Sequence, residues 1–365
     1  MTSDFTDIQD NSQPSQAGMN AARLDDVIAY AQSNECTMNR DIGAALAAGH
    51  FGEPPEMAEI LGPVKPRGPA NGIVLRNGQV AATWGDPTRV DMTFSISKSY
   101  LALLTGLAVD DGLIPNIHAP VRDLLPDIGF DSDQNAPITW DHLLTLTSEW
   151  EGTLWDKPDW VDHNRRVPHT DDGPAKGTKR AMRPPGTHWE YNDVRVNQLS
   201  YALMCLFKRP LPEVLKTRIM DPISAQDPWE WHGYRNSWVE IDGTRMQSVS
   251  GGGHWGGGLW ISARDHARVG MLMLNKGVWQ GNRILSEGWI THCHTPCDLN
   301  PGYGRLWWLN TNRKMIPAAS ENAYFGLGVG GNTLWVDPDE NMIVVSRWLE
   351  PDRFAEFGGL VMAAL

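Results

Sequence analysis

With 365 residues, 41% of them hydrophobic and 21% charged, the chain is long enough for one large domain or two lobes with substantial cores. A formal net charge of −13, with no basic run longer than Arg165-Arg166, excludes nucleic acid as a main partner, because phosphate binding needs clustered basic surface. The opening MTSDFTDIQDNSQPSQAG is acidic and polar where a secretion signal is basic and then apolar. No later stretch is apolar for long enough to span a bilayer, so the reading is a cytoplasmic protein without a membrane partner. Cys36, Cys205, Cys293 and Cys297 are too scattered for a disulfide framework and read as reduced thiols.

Residues 1–18 read as a loose tail, and 20–33 as a helix with a polar face. A Pro- and Gly-rich connector leads to GIVLRNGQVAATWG (72–85), two β-type runs joined by Asn77-Gly78, which favours a two-residue hairpin turn. The helix that carries FSISKSYLALLTGLAVDDG ends near Asp111-Gly112. From 130 to 245 the pattern turns to short helices, the surer ones near 139–147 and 193–207, and long polar loops. SVSGGGHWGGG (248–258) is a glycine-rich loop, and 259–274 reads as a helix. Strands return at LWWLN (306–310), NTLWVD (332–337) and MIVVSRW (342–348), and a last helix covers about 352–364.

Strands at both ends with helices between predict an α/β lobe from 19–129 and 246–365, with a mainly helical lobe, 130–245, inserted. Seventeen tryptophans serve either a tryptophan-rich core or an aromatic cleft.

The chemistry centres on FSISKSY (94–100). Of all the lysines, Lys98 alone has a serine three residues before it, and that spacing puts Ser95 and Lys98 on one helix face. A serine hydroxyl needs a nearby base, a neutral lysine can be one, and a helix N-terminus offers free N–H groups for an oxyanion. On this pair alone, a capping serine and a solvated lysine explain the residues as well.

Two further stretches change the balance: HWEYND (188–193) after Pro184-Pro185-Gly186, and YFGLGVGGNTLWVDP (324–338). Together with FSISKSY they resemble, in order and spacing, the three motifs of the serine β-lactamase and penicillin-recognition superfamily. The nearest branch looks like the class C β-lactamases, family VIII carboxylesterases and 6-aminohexanoate-dimer hydrolases. The resemblance spans about residues 70–350, and PPGTHWEYNDVRVN, GGGLWISARDHARVG and LWVDPDENMIVV look like shared framework. It implies a β-lactamase/transpeptidase-like fold, an antiparallel sheet flanked by helices with an inserted helical lobe. It further implies Ser95 as the acylated nucleophile, Lys98 as its proton partner and Tyr191 as the proton relay. The third motif falls on Gly326-Leu327-Gly328, and the backbone N–H of Val329 would share the oxyanion hole with that of Ser95. No cofactor is required by such chemistry.

Two positions depart from the family pattern. Asp193 stands where the family has asparagine; a carboxylate near Lys98 would hold it cationic and leave the proton transfer to Tyr191. Alternatively Asp193 pairs with Arg195 or caps the backbone, and Asn192 or Asn197 supplies the amide. Gly326 stands where β-lactamases carry a lysine that recognises a carboxylate, which weighs against antibiotic hydrolysis.

The expected substrate is a small-molecule amide or peptide-like compound, with an ester as the alternative. A non-catalytic binding module of the same fold is the rival from another class, and a homodimer stays open. Asp193, His254, Trp255 and Gly328 are the candidate substrate contacts, with Trp150, Glu151 and Trp155 as weaker cleft candidates. In the glycine-rich loop, glycines let backbone approach a ligand, and His254 and Trp255 supply a polar tip and an apolar plate. HCHTPC (292–297) holds metal-ligand residue types, but no second cluster completes a zinc site, so no metal is expected.

Overall fold

The computed structural model describes residues 14–167 and 173–365. The first predicted helix forms as α1 (Ala21–Ser33), with the Asn20 side chain accepting from the Arg23 N–H at its start. Residues 14–18, expected to be loose, form a turn that buries Ala17, and the Gly18 carbonyl accepts from Arg76. The rest of that tail, 1–13, lies outside the described residues.

After α2 (Ile42–Ala47), strands β1 (Asn71–Arg76) and β2 (Gln79–Trp84) make the hairpin that Asn77-Gly78 predicts, with φ of 53° and 75° at its two turn residues. The short strand β3 (Asp91–Met92) leads into α3 (Ile96–Asp110), buried at every residue from Ile96 to Ala108, its polar Ser97, Lys98, Ser99 and Thr105 included.

The stretch 130–245 is mixed rather than mainly helical. It holds α4 (Trp140–Leu144), the ribbon β4 (Thr153–Leu154) and β5 (Lys157–Pro158), α5 (Asp193–Phe207) and α6 (Leu211–Leu215). It then gives β6 (Glu230–Ile241), which pairs with β7 (Thr244–Val249) in a long hairpin. Charged and polar residues spread through β6 mask its period-two pattern in the sequence.

Residues 259–274, read as one helix, divide at Ser262. Before it lies β8 (Gly258–Ile261); after it α7 (Ala263–Leu274) starts, with the Ser262 hydroxyl accepting from the Asp265 N–H. The ribbon β9 (Val278–Trp279) and β10 (Asn282–Arg283), then α8 (Glu287–Cys293), β11 (Trp308–Leu309), β12 (Tyr324–Gly328), β13 (Asn332–Asp337), β14 (Met342–Arg347) and α9 (Phe354–Ala363) complete the chain. The strand expected over 306–310 keeps only two residues, since Leu306 takes φ 59°.

The main sheet is antiparallel, ordered β11-β12-β13-β14-β1-β2. Pairing from Asn71↔Arg347 to Arg76↔Met342 joins the two ends of the chain. Both β13 and β14 are buried at every residue because helices cover both faces. On one face α7 approaches closely at Gly270, where a Cβ would touch Ile343 and Leu334. On the other, Phe354 and Phe357 of α9 meet Phe325 and Trp84. A second sheet, β3-β8-β6-β7, carries the chain into α3. Among the described residues no helix is long and apolar enough to cross a membrane.

Candidate active site

Ser95 occupies the N-cap position of α3, yet its hydroxyl makes no capping bond. The neighbouring Ser97 hydroxyl instead donates to the Phe94 carbonyl and accepts from the Leu259 N–H. Phe94 is held at φ 50°, a left-handed conformation that costs a non-glycine residue roughly 1–2 kcal/mol. The turn is pinned from behind: Thr93 donates its N–H to Leu259, and its hydroxyl lies 2.7 Å from His266 Nε2. Burial, with help from Arg347, drives His266 well below the usual histidine range, so the ring bonds as a neutral imidazole.

Lys98 Nζ donates to Ser95 Oγ at 3.0 Å. Lys98 is 1% exposed and Ser95 8%, so the hydroxyl faces the cleft while the lysine nitrogen lies behind it. Asp193, at the start of α5, contacts Lys98 Nζ directly through Oδ1. Its other oxygen takes Arg165 Nη1 at 2.8 Å and lies 3.2 Å from His254 Nδ1. Burial alone would raise the Asp193 carboxyl, but Arg165 and Lys98 outweigh it and hold the group well below the usual range. Asp193 is therefore the counter-ion of Lys98. At 1% exposure it is no substrate contact, which corrects that expectation.

The alternatives for this position also resolve. Arg195 pairs with Glu149, Glu190 and Asp159. Asn192 caps α5 by accepting from Val194 and Arg195 N–H, and Asn197 accepts from the Gly251 N–H.

His254 and Trp255 are each 1% exposed and stacked on one another, 4.1 Å between centroids. His254 is enclosed by Asp193, Arg165, Glu53 and Lys176, and Trp255 Nε1 donates to the Met57 carbonyl. Neither reaches the cleft, because the loop packs against the charged cluster. Gly252 shows why glycine is required there: a Cβ would lie 2.6 Å from Lys98 Nζ and 2.8 Å from Asp193 Oδ1.

The cluster completes with residues the sequence reading missed. Arg165 and Lys176 come from the long polar loop and Asp162 from the turn before it, with Lys176 3.1 Å from Asp162 and 3.5 Å from Glu53. Among the described residues, three cations (Lys98, Arg165, Lys176) thus face three carboxylates (Asp193, Asp162, Glu53) around His254. Asp162, Asp193 and His254 have a spacing that could hold a metal ion, but the cations already neutralise both carboxylates. In HCHTPC, Cys293 is buried at the end of α8, and burial pushes its thiol up to about 12.

Tyr191 lies on the other side of Lys98. Its ring stacks on Trp308 at 5.7 Å and 22°, and Lys98 Nζ and Arg165 Cζ lie 4.7 and 5.1 Å from its centroid. The third motif forms β12, which runs against the first turn of α3. At Gly328 a Cβ would overlap the Thr93 carbonyl oxygen, and at Gly326 it would lie 2.9 Å from Ile96 Cγ2 and 3.2 Å from Ser99 Oγ. Position 326, where the resemblance places the lysine of β-lactamases, is thus closed by α3.

Ser95, Tyr191, Arg165, Trp308, Gly328 and Val329 share one open cleft of about 1160 Å³. Its far wall comes from residues 36–52, including Met38, Ala45 and Phe51. Of the tryptophans only Trp308 lines the described cleft; Trp150 is buried with Nε1 on the Gly129 carbonyl. The tryptophan-rich core is the better reading, with Trp140, Trp255, Trp307, Trp335 and Trp348 among the largest fully buried side chains.

A curated relative, the 6-aminohexanoate-dimer hydrolase of Paenarthrobacter ureafaciens, is 24% identical over 77% of this chain and 73% of its own. Among solved structures, a penicillin-binding protein homolog from Caulobacter crescentus superposes with a TM-score of 0.61 at 15% identity, covering 99% of this chain and 100% of that one. A family VIII carboxylesterase gives 0.56 at 15% identity, covering 90% and 98%. These likenesses fix the fold as β-lactamase/transpeptidase-like. The Beta-lactamase family model matches residues 70–347, three quarters of the length and all three motifs, and the chain therefore belongs to the Beta-lactamase family of hydrolases.

Proposed function

We propose that the protein is a serine hydrolase that cleaves an amide or peptide-like bond of a small molecule through an acyl-enzyme on Ser95. The observation that carries this reading is the Ser95 hydroxyl, left free of capping, at 3.0 Å from Lys98 Nζ on the floor of the cleft. Because Asp193 favours a cationic Lys98, Tyr191 takes the role of base. Its ring centroid lies 4.7 Å from Lys98 Nζ and 5.1 Å from Arg165 Cζ, beside the nucleophile's lysine.

The Ser95 proton passes to the Tyr191 oxygen as Oγ bonds to the substrate carbonyl carbon, and the carbonyl pair moves onto oxygen. There the N–H groups of Ser95 and Val329 receive the charge. Collapse breaks the C–N bond, and Tyr191 returns the proton to the leaving amine. Water then adds to the acyl carbon, giving its proton to Tyr191, and the bond to Ser95 breaks with return of that proton to Oγ.

The lean towards amides rests on the named activity of the Paenarthrobacter relative, and ester cleavage is the second reading, favoured by the carboxylesterase neighbour. The cleft wall at 36–52 lies outside the family match, and its side chains would contribute to substrate choice.

Intact mass after exposure to a fluorophosphonate tests the mechanism. One adduct is expected on the wild type and none on Ser95→Ala; a wild type that stays unlabelled and turns over neither amides nor esters would refute it. The ratio of kcat/KM on matched amide and ester substrates then separates the two readings.

A further inference from the structure

Arg347, at the end of β14, is 1% exposed and plays no part in the chemistry above. Its guanidinium reaches in two directions. Nη2 donates to the Asp91 and Met92 carbonyls at 3.2 and 2.8 Å, and Nη1 to the Ile261 carbonyl at 2.8 Å. Those carbonyls belong to β3 and β8, the strands that deliver Thr93, Phe94 and Ser95. In the other direction Nε donates to Asn332 Oδ1 at 2.6 Å. Asn332 in turn donates through Nδ2 to the Val329 carbonyl, also at 2.6 Å.

The turn between β12 and β13 depends on that second arm. Gly330 and Gly331 take φ of 78° and 69°, and any Cβ at Gly331 would overlap the Leu349 carbonyl oxygen. Pairing of Gly328 with Asn332 fixes the chain on one side of Val329. The Asn332 amide holds its carbonyl on the other. With both peptide planes of Val329 held, the direction of its N–H is set.

We infer that Arg347 and Asn332 are positioning residues: one buried guanidinium sets the spacing of the two backbone N–H groups, at Ser95 and Val329, that receive the oxyanion. This rests on the serine-hydrolase reading above. Burial lowers Arg347 to about 10, with Asp91 opposing, and carbonyl and amide oxygens satisfy its donors. Its removal therefore frees both arms at once.

The test compares Asn332→Ala and Asn332→Asp with wild type on a p-nitrophenyl ester, with kcat counted per Ser95 site labelled at end point by a fluorophosphonate. Asp keeps an acceptor for Arg347 but offers none of the Nδ2 donors to Val329. Both variants should lose roughly 10²-fold in kcat, near the effect of removing one oxyanion donor, with KM within about twofold. Affinity for a boronate that forms a tetrahedral adduct should fall in parallel. Arg347→Gln should do the same where it folds, but the Asn332 pair carries the test. A kcat per labelled site within about twofold of wild type, whatever the loss in melting temperature, overturns the inference. An unlabelled, inactive wild type overturns the hydrolase reading, and the inference with it.

Discussion

Replacing Asp193 by asparagine keeps the side chain's size and shape and removes one charge from a balanced buried cluster. Lys98 and Asp193 are 1% exposed, Asp162 0%, and the Arg165 and Lys176 side chains 9%. With the carboxylate gone, three cations face two anions out of water. Breaking a buried pair from one side costs about 3–5 kcal/mol, because a charge is left uncompensated. Unfolding entropy near 2.1 cal/mol/K per residue over 365 residues gives about 0.77 kcal/mol per degree, so melting should fall by about 4–7 °C.

Balance returns if a cation is removed as well. Arg165→Gln added to Asp193→Asn leaves two of each sign, so the double variant should be more stable than the sum of the singles by about 1–3 kcal/mol. Scanning calorimetry of the four proteins measures this. The pH dependence supplies a further check. Asp193 is held below its ordinary range, so its stabilisation is present above about pH 4 and fades as pH falls beneath it. The variant's deficit should therefore shrink in acid. A single variant within about 0.5 kcal/mol of wild type, or strictly additive costs, would refute the balanced-cluster argument.

Asp337 is buried at the end of β13, and burial, with Asp339 and Glu340 nearby, raises its carboxyl from 3.8 to about 6. Its proton is held more tightly in the folded state, so stability falls as pH climbs from about 4 to 6 and is flat beyond. Asp337→Asn should gain at most about 3 kcal/mol at pH 7 and little at pH 4; an equal effect at both would count against it. Gly252→Ala places a methyl 2.6 Å from Lys98 Nζ and should cost roughly 10²-fold in kcat/KM on an ester substrate; retained activity would show that Lys98 tolerates displacement. Gly326→Lys should confer no hydrolysis of a chromogenic cephalosporin and should lose about 1–3 kcal/mol in a melt, because the Cβ meets Ile96 and Ser99. Gain of turnover would overturn the claim that α3 closes this position.

Several elements were legible in the sequence for local reasons. Asn77-Gly78 specifies its turn through backbone freedom alone, and α5 starts where Asn192 can cap it. Ser95, Lys98 and Tyr191 stood out through motif spacing, and the structure brings them together. β6 went unread because polar residues interrupt its alternation, and β8 because its apolar run continues into α7. His254 and Trp255 looked like substrate contacts because glycine-rich loops often face ligands; here the glycines give room to a charged cluster instead.

What the sequence determined by itself is the set of features carried by neighbours along the chain: the hairpin, the starts of α1 and α5, the i, i+3 pairing of Ser95 with Lys98, and the three motifs. Only the tertiary structure decided which carboxylate meets Lys98. It also showed that Arg165 and Lys176, from a loop of no evident pattern, balance the charge, and that Arg347 ties β3 to the Val329 turn across some 250 residues. The physical reason is that ion pairing and buried hydrogen bonding depend on distance in space, and a side chain's type reveals the need for a partner without saying which one the fold supplies.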